Sequence, residues 1–495
     1  MNGQRLNLSK EAKLLGVTLD SKLTWKNHIT RITTKATAVL MQSRRIVGKT
    51  WGVRPLTMKW IYTAMVRPIL TYACVSWVSG IEKLYLRNIL NKVQRLACLM
   101  ISSAFPGTPT RALETLLGIM PIDEFIRAEA VRGSYRLDQV GLWPTKTLGT
   151  SGKTVSHVDL CSGARKELAL LGMPADHRRK TRSFKRNFEC LILDRTSAIE
   201  YEGGLDESHL KCYTDGSKLS ERVGAGLYIK YPYDSRSVKN CFHLGKLSTV
   251  FQAEVFGIWK VAEALLVEGT HDQDIVILSD SQAAIKAIEG SMVRSNTVLQ
   301  CIESLNRLGI NNRLMIAWTP GHQGVHGNEE ADELARRGSE LSVEGPEPFI
   351  PVPYATCVMA IKDWSMKRWK AKWESSSDCV RTREHVGWYQ NRLTNRLLGL
   401  HRNKLNLVLQ ILTGHCNLQK HKRTTGRSDT PICPKCGVEE ETPDHHVGRC
   451  VLYQNARVRF LGKRTTTVKA VVEKLNMHKL AAYLRQVGRL AEFDS

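Results

Sequence analysis

The chain has 495 residues, more than one hydrophobic core holds, which sets an expectation of about three domains. With 42% hydrophobic and 24% charged residues its composition is globular, and the polar start Met1-Asn-Gly-Gln-Arg-Leu6 is not a signal peptide. No apolar run reaches the roughly 18 to 20 residues that span a bilayer, so a charge of +25 points to nucleic acid rather than to a membrane, and 13 scattered cysteines fit a reducing, intracellular setting, nuclear or cytoplasmic, with one cluster left for metal.

In chain order, residues 1–140 open on an apolar strand, Leu14 to Leu19, closed by a polar turn at Asp20 to Lys22. A helix is expected from Trp25, and apolar residues then recur at three- and four-residue spacing as far as Leu137. Ile61 and Met65, then Ile89, Val93, Leu96 and Met100, fall on inner faces, which predicts a helical bundle. Residues 141–206 are richer in Gly, Ser, Thr and Pro. They include the basic run His177-Arg-Arg-Lys-Thr-Arg-Ser-Phe-Lys-Arg186, read as part of a basic linker or as a surface turned toward phosphates.

Over 207–342 the periodicity shifts to short strands. Strands are expected at His209 to Thr214, Gly226 to Lys230 and Val238 to Leu244, a helix from Phe251 to Glu268, then a buried strand from Asp274 to Leu278. Helices from Ser281 to Glu289 and Val298 to Leu308, a strand from Arg313 to Trp318 and a helix from Asn328 to Arg337 complete an α/β domain, a five-stranded mixed sheet with flanking helices.

Residues 343–428 start with a linker, Glu344-Gly-Pro-Glu-Pro348, and continue as a basic helical region. Trp364, Trp369 and Trp373 stand there among Lys362, Lys367, Arg368, Lys370 and Lys372, either as a core stripe or as a platform for bases. A Cys/His cluster occupies 429–455, and the tail 456–495 carries a helix from about Val468 to Leu484.

Asp215 is expected at the end of the first strand of the α/β domain and Asp280 at the end of the fourth. If those strands are parallel neighbours joined by a right-handed crossover, both carboxylates share one sheet edge. Glu254, in the first turn of the crossover helix, and Asp332, near the start of the last helix, reach the same edge. Acids so crowded repel one another unless cations neutralise them. Oxygen ligands favour Mg2+, or Mn2+. Two such ions about 3.5 to 4 Å apart activate water and stabilise a leaving 3′ oxygen at a phosphodiester. His322, on a glycine-flanked loop ten residues before Asp332, is placed to shuttle a proton or to help product leave.

Cys433, Cys436, His445 and Cys450 have the spacing Cys-x2-Cys-x8-His-x4-Cys, which suits a closed, structural zinc site. His446 is a competing ligand beside His445, and His415 reads as structural. Lys420, Lys422, Arg423 and Arg427 precede the cluster and suit a nucleic-acid template.

The strings Tyr213-Thr-Asp-Gly-Ser217, Gln252-Ala-Glu254, Leu278-Ser-Asp-Ser281 and Gly321-His322 through Asp332 resemble the type 1 ribonuclease H family in order and spacing over about 130 residues. The resemblance implies a ribonuclease H-like fold and magnesium-dependent cleavage of the RNA strand of RNA/DNA hybrids, giving 5′-phosphate and 3′-hydroxyl ends. Asp215, Glu254, Asp280 and Asp332 would hold the metal, His322 would assist, and Glu329 would aid a second ion or the His322 loop. Val325 and His326 receive no role.

Leu14-Leu-Gly-Val-Thr-Leu-Asp20 and Leu23-Thr-Trp-Lys-Asn-His-Ile29 resemble the segment following the polymerase centre in reverse transcriptases of LINE-type (non-LTR, jockey-like and I-element-like) retrotransposons. Residues 1–140 would then be a palm end with thumb and connection. The Cys/His cluster resembles the C-terminal knuckle of the same proteins, and Thr442-Pro-Asp-His445 favours His445 as the ligand. The polymerase's aromatic-Ala-Asp-Asp string does not occur, so polymerase activity is not expected, and the chain reads as part of a larger protein with an upstream reverse-transcriptase region. The expected partners are RNA/DNA hybrid and single-stranded RNA or DNA. The competing readings are a catalytically silent nucleic-acid-binding remnant and an RNA chaperone acting through the knuckle and basic tail.

Overall fold

The structure, a computed structural model, describes residues 9–48, 51–144, 156–233, 236–321, 325–342 and 347–490. It separates into two compact units, one of 1–133, 147–162 and 362–495, the other of 134–146 and 163–361. Among the described residues no single helix is long and apolar enough to cross a membrane.

The second unit is built on a six-stranded mixed sheet ordered Glu189–Leu191, Arg313–Trp318, Asp274–Ser279, Leu210–Leu219, Arg222–Lys230, Ser237–Gly245. The first four are mutually parallel and the last two continue antiparallel. Alternation along each strand divides the core between the two faces. Leu210, Cys212, Ile275 and Ile277 pack beneath helices Val250–Val267, Gln282–Glu289 and Asn296–Leu308, while Tyr213, Val276 and Leu278 meet helix His326–Glu340 through Ala331 and Leu334.

Two sequence expectations shift here. Strand Leu210–Leu219 runs past Gly216, because Ser220 and Glu221 take left-handed backbone and fold Lys218 and Leu219 onto Val223 and Arg222. The stretch 141–206 is more than a linker: besides helix Arg195–Gly203 it supplies Glu189–Leu191, the sixth strand, which is too short to show alternation.

In the first unit the expected single strand is a hairpin, Glu11–Leu14 with Val17–Asp20, because Leu15 and Gly16 both have positive φ and reverse the chain. Helix Lys26–Ser43 follows. Inner positions are offset by one from the expected Ile61 and Met65. Met58, Tyr62, Val66 and Leu70 are buried instead, a four-residue spacing that the π-helical turn Tyr62–Val66 sustains, and Met65 is exposed. In helix Leu84–Ser102 the buried stripe includes Val93 and Met100 with Leu86, Leu90, Ala97 and Ile101, while Ile89 and Leu96 are half-buried. Trp369 and Trp373 are core, packed with Trp388, whereas Trp364 is half-buried beneath the Arg368 guanidinium. The expected last helix is two, Val468–Glu473 and Met477–Val487, broken where Leu475 turns left-handed.

Candidate active site and metal centre

Asp215 sits within its strand, opposite Gly226 of the antiparallel neighbour, on the same face as Tyr213. Asp280 follows Ser279 at the end of the parallel neighbour, whose Ser279 pairs with Thr214, so the two carboxylates do meet at one sheet edge. Its main chain is fixed there by the Trp318 indole, which donates to the Asp280 carbonyl at 2.9 Å. Asp332 arrives from helix His326–Glu340. That helix touches the sheet backbone at Gly226, where a Cβ would stand 2.3 Å from the Ala331 carbonyl oxygen. The contact brings Asp332, the next residue, to hydrogen-bonding distance of Asp215.

Glu254 comes from the opposite face. Its helix, Val250–Val267, is started by a capping box in which the Thr249 hydroxyl accepts from the Gln252 N–H and the Gln252 side chain accepts from the Thr249 N–H. Glu254 is the fifth residue of that helix, at the start of its second turn rather than in the first. Gly216 lets the helix close on the strand: a Cβ there would lie 2.9 Å from the Glu254 nitrogen and from the Ala253 Cβ. The Gly216 N–H and the Ser279 hydroxyl stand on the Glu254 carboxylate's side of the strand and partly offset the effect of its burial.

One oxygen each from Asp215, Glu254 and Asp280 lie within 4.8 Å of one another. Burial, then the charges of Asp280 and Asp332, push the Asp215 carboxyl up to about 7. Burial, then Asp215 and Asp280, push Glu254 up to about 9. Glu254 Oε2 is buried without a hydrogen-bond partner, which costs stability unless a donor or cation meets it. An all-oxygen, acid-only donor set with that open position fits a hard divalent cation such as Mg2+ or Mn2+.

His322 lies outside the described residues. Its neighbour Gly321 packs against Asp280, and a Cβ there would be 2.8 Å from Asp280 Oδ2. His326 is exposed, edge-on to Tyr228, and Glu329 is exposed in the first turn of its helix. Supporting groups that the motifs did not single out are Ser279, Trp318 and a buried pair in which the Thr319 hydroxyl donates to Glu202, beside Tyr213. Ser279 and Tyr213 had a signal, their places inside Leu278-Ser-Asp-Ser281 and Tyr213-Thr-Asp-Gly-Ser217.

In the first unit, ligand atoms of Cys433, Cys436, His445 and Cys450 also lie within 4.8 Å of one another. The chain turns at Cys433–Gly437, with the Gly437 N–H on the Cys433 carbonyl, and returns so that the Cys433 N–H donates to Glu439 O at 2.8 Å. His445 Nε2 is 3.4 Å from Cys436 Sγ, while its Nδ1 is 3.2 Å from Glu439 Oε2, which orients the ring toward the thiols. N–H groups of Glu439 and Val438 lower the Cys436 thiol to about 7. The soft, closed donor set fits zinc. His446 is turned away, buried against Tyr453 and Tyr483, where burial lowers it to about 3. His415 is half-buried beside His421, its Nδ1 3.2 Å from the Thr413 carbonyl.

Residues 207–340 match the family model described as RNase H. The chain is 27% identical over 126 residues to the Retrovirus-related Pol polyprotein from type-1 retrotransposable element R1 of Nasonia vitripennis, an alignment covering 25% of this chain and 37% of that one. It is 25% identical over 130 residues to the Putative 115 kDa protein in type-1 retrotransposable element R1DM of Drosophila melanogaster, covering 26% and 13%. The matched segments thus span well under half the length of these relatives. Among solved structures, RNase H1 from Halobacterium salinarum NRC-1 is similar at 22% identity and a TM-score of 0.23, covering 27% of this chain and 98% of that one. Residues 207–340 are a ribonuclease H domain, carried in a chain similar to the R1 retrotransposon Pol polyproteins.

Proposed function

We propose that the chain is a metal-dependent endonuclease hydrolysing the RNA strand of RNA/DNA hybrids, as part of a retrotransposon replication protein. The observation that carries this is the convergence of Asp215, Glu254 and Asp280 from two strands and a crossover helix on one buried point, with Asp332 bonded to Asp215. Such a cluster is electrostatically unfavourable by itself, and a fold that builds it from four elements implies a cationic occupant.

The four acids would hold Mg2+ or Mn2+, and two such ions supply an activated water and neutralise charge on the leaving 3′ oxygen. The chain's own task is positioning. The Gly216 N–H and Ser279 hydroxyl partly offset the burial of Glu254, and the Trp318 indole pins the Asp280 backbone. Helix His326–Glu340 fixes Asp332 against Asp215. His322, the residue after Gly321, would move a proton or assist product release. Cys433, Cys436, His445 and Cys450 would hold a structural zinc, with the preceding basic residues binding single-stranded template.

The test is incubation of the purified chain with an end-labelled RNA/DNA hybrid, with Mg2+ and then with chelator. The expected result is Mg2+-dependent cleavage confined to the RNA strand, leaving 5′-phosphate and 3′-hydroxyl ends. Hybrid binding without cleavage would support the catalytically silent reading instead.

A further inference from the structure

The basic run before the nuclease domain is folded onto it. Thr181–Arg182 pairs antiparallel with Met292–Val293, Arg182 opposite Met292 and Thr181 opposite Val293. The Arg178 N–H donates to Arg294 O and the Ser183 N–H to Ser291 O, both at 2.9 Å, extending the ladder. Beyond the strand, Arg186 Nε and Nη2 donate at 3.0 Å to the Ile288 and Gly290 carbonyls, groups left open at the end of helix Gln282–Glu289. Asn187 is held by both the main chain and the side chain of Asn306. At the other end, buried Asp176 accepts from the Ser295 hydroxyl and the Thr297 N–H, tying the run to the start of helix Asn296–Leu308.

A free linker needs none of these attachments. Their consequence is that Arg186 is spent on anchoring and Arg178 is half-buried, while the four remaining cations are displayed. Strand alternation turns Thr181 toward the domain, where its partner Val293 is buried, and turns Lys180, Arg182 and Phe184 outward. Arg179, Lys180, Arg182 and Lys185 are exposed, as are Arg294 across the ladder and Lys286 on helix Gln282–Glu289. Among the described residues none of these four exposed cations of the run has a carboxylate partner. Phe184 and Met292 stand exposed among them, at 74% and 45%. This is an ordered cationic ridge on the nuclease unit itself.

Its position sets what it can hold. Helix Gln282–Glu289, eight residues and so about 12 Å long, joins Asp280 at one end to the Arg186 anchor at the other. With phosphates spaced by about 3.4 Å along each strand, that helix spans a few nucleotide steps, so the Arg186 end of the ridge lies within reach of a duplex that meets the acids.

We propose that Arg179, Lys180, Arg182 and Lys185 form a binding ridge for the phosphate backbone of the hybrid duplex whose RNA strand enters the acid cluster. This rests on the hybrid-nuclease reading for the identity of the duplex, but its test does not need cleavage. The full chain and the variant R179A/K180A/R182A/K185A are titrated with RNA/DNA hybrid and with single-stranded RNA over a range of salt, in chelator, where no hydrolysis occurs. The ridge predicts at least a tenfold loss of hybrid affinity at low salt in the variant. It also predicts a plot of log affinity against log salt shallower by about 0.9 per phosphate contact removed. With Mg2+ present, KM should rise while kcat stays unchanged. The variant R179K/R182K, which keeps the charges, should bind as the parent does. Unchanged hybrid affinity and salt slope, or a loss confined to single-stranded RNA, would overturn the ridge. A parent chain that binds hybrid through these residues yet never cleaves it would leave the ridge standing and remove the nuclease reading.

Discussion

Asp215 faces Gly226 across the antiparallel ladder, and that pairing positions the fourth acid of the site. Gly226 offers bare backbone on which Ala331 rests, so Asp332, one residue later, reaches Asp215 from a separate helix. The geometry of the acid cluster therefore depends on the absence of a methyl group one strand away.

Gly226→Ala should displace helix His326–Glu340, since the new Cβ would stand 2.3 Å from Ala331 O and 2.5 Å from the Ala335 nitrogen. Overpacking of this kind costs about 1–3 kcal/mol, measurable by urea unfolding. Cleavage should fall further than the loss of folded protein accounts for. Full activity in Gly226→Ala would show that Asp332 is not positioned this way.

The raised carboxyl groups give a pH signature in metal-free protein. Glu254 keeps its proton up to about 9 and Asp215 up to about 7 when folded, against ordinary values of 4.5 and 3.8. Between those limits the folded state holds more protons than the unfolded state, so stability falls as pH rises through the window. Amide-exchange protection in strand Leu210–Leu219 should be greater at about pH 5 than at about pH 8 in chelator. Mg2+ should restore more of it at the higher pH, and Glu254→Gln should flatten the dependence. Protection that rises with pH in metal-free protein would contradict this.

Cys436→Ser should abolish stoichiometric zinc, read by metal analysis of the purified chain, while Asp280→Asn should retain it. Zinc lost with Asp280→Asn would mean that the two metal sites are not separate.

The Trp373 indole donates to the Gly387 carbonyl at 2.6 Å inside the core. Trp373→Phe leaves that acceptor unpaired and should cost about 1–3 kcal/mol in urea unfolding. Affinity for single-stranded RNA should not change. A loss of affinity without a loss of stability would make Trp373 a base-stacking platform instead.

Much of this was legible in the residues because the relevant signals are local. Apolar runs and alternation mark the strands through Leu210, Ile275 and Leu314, and the carboxylates fall at positions that a parallel pair brings together. The failures have physical causes as well. The turn at Ser220 and Glu221 lacks the Asn or Gly that usually announces left-handed backbone, so strand Leu210–Leu219 reads too short. Glu189–Leu191 is three residues long and becomes a strand only through its neighbour Arg313–Trp318. The basic run has no periodicity of its own, and its order comes from distant partners such as Ile288, Gly290 and Asn306.

A metal-holding role for the acids is tested most directly by comparing the parent chain with Asp280→Asn in single-turnover cleavage of a labelled RNA/DNA hybrid. The account predicts Mg2+-dependent scission of the RNA strand by the parent, and loss of that scission in Asp280→Asn with hybrid binding retained. Cleavage at an equal rate in Asp280→Asn, or cleavage by the parent that persists in chelator, would contradict it.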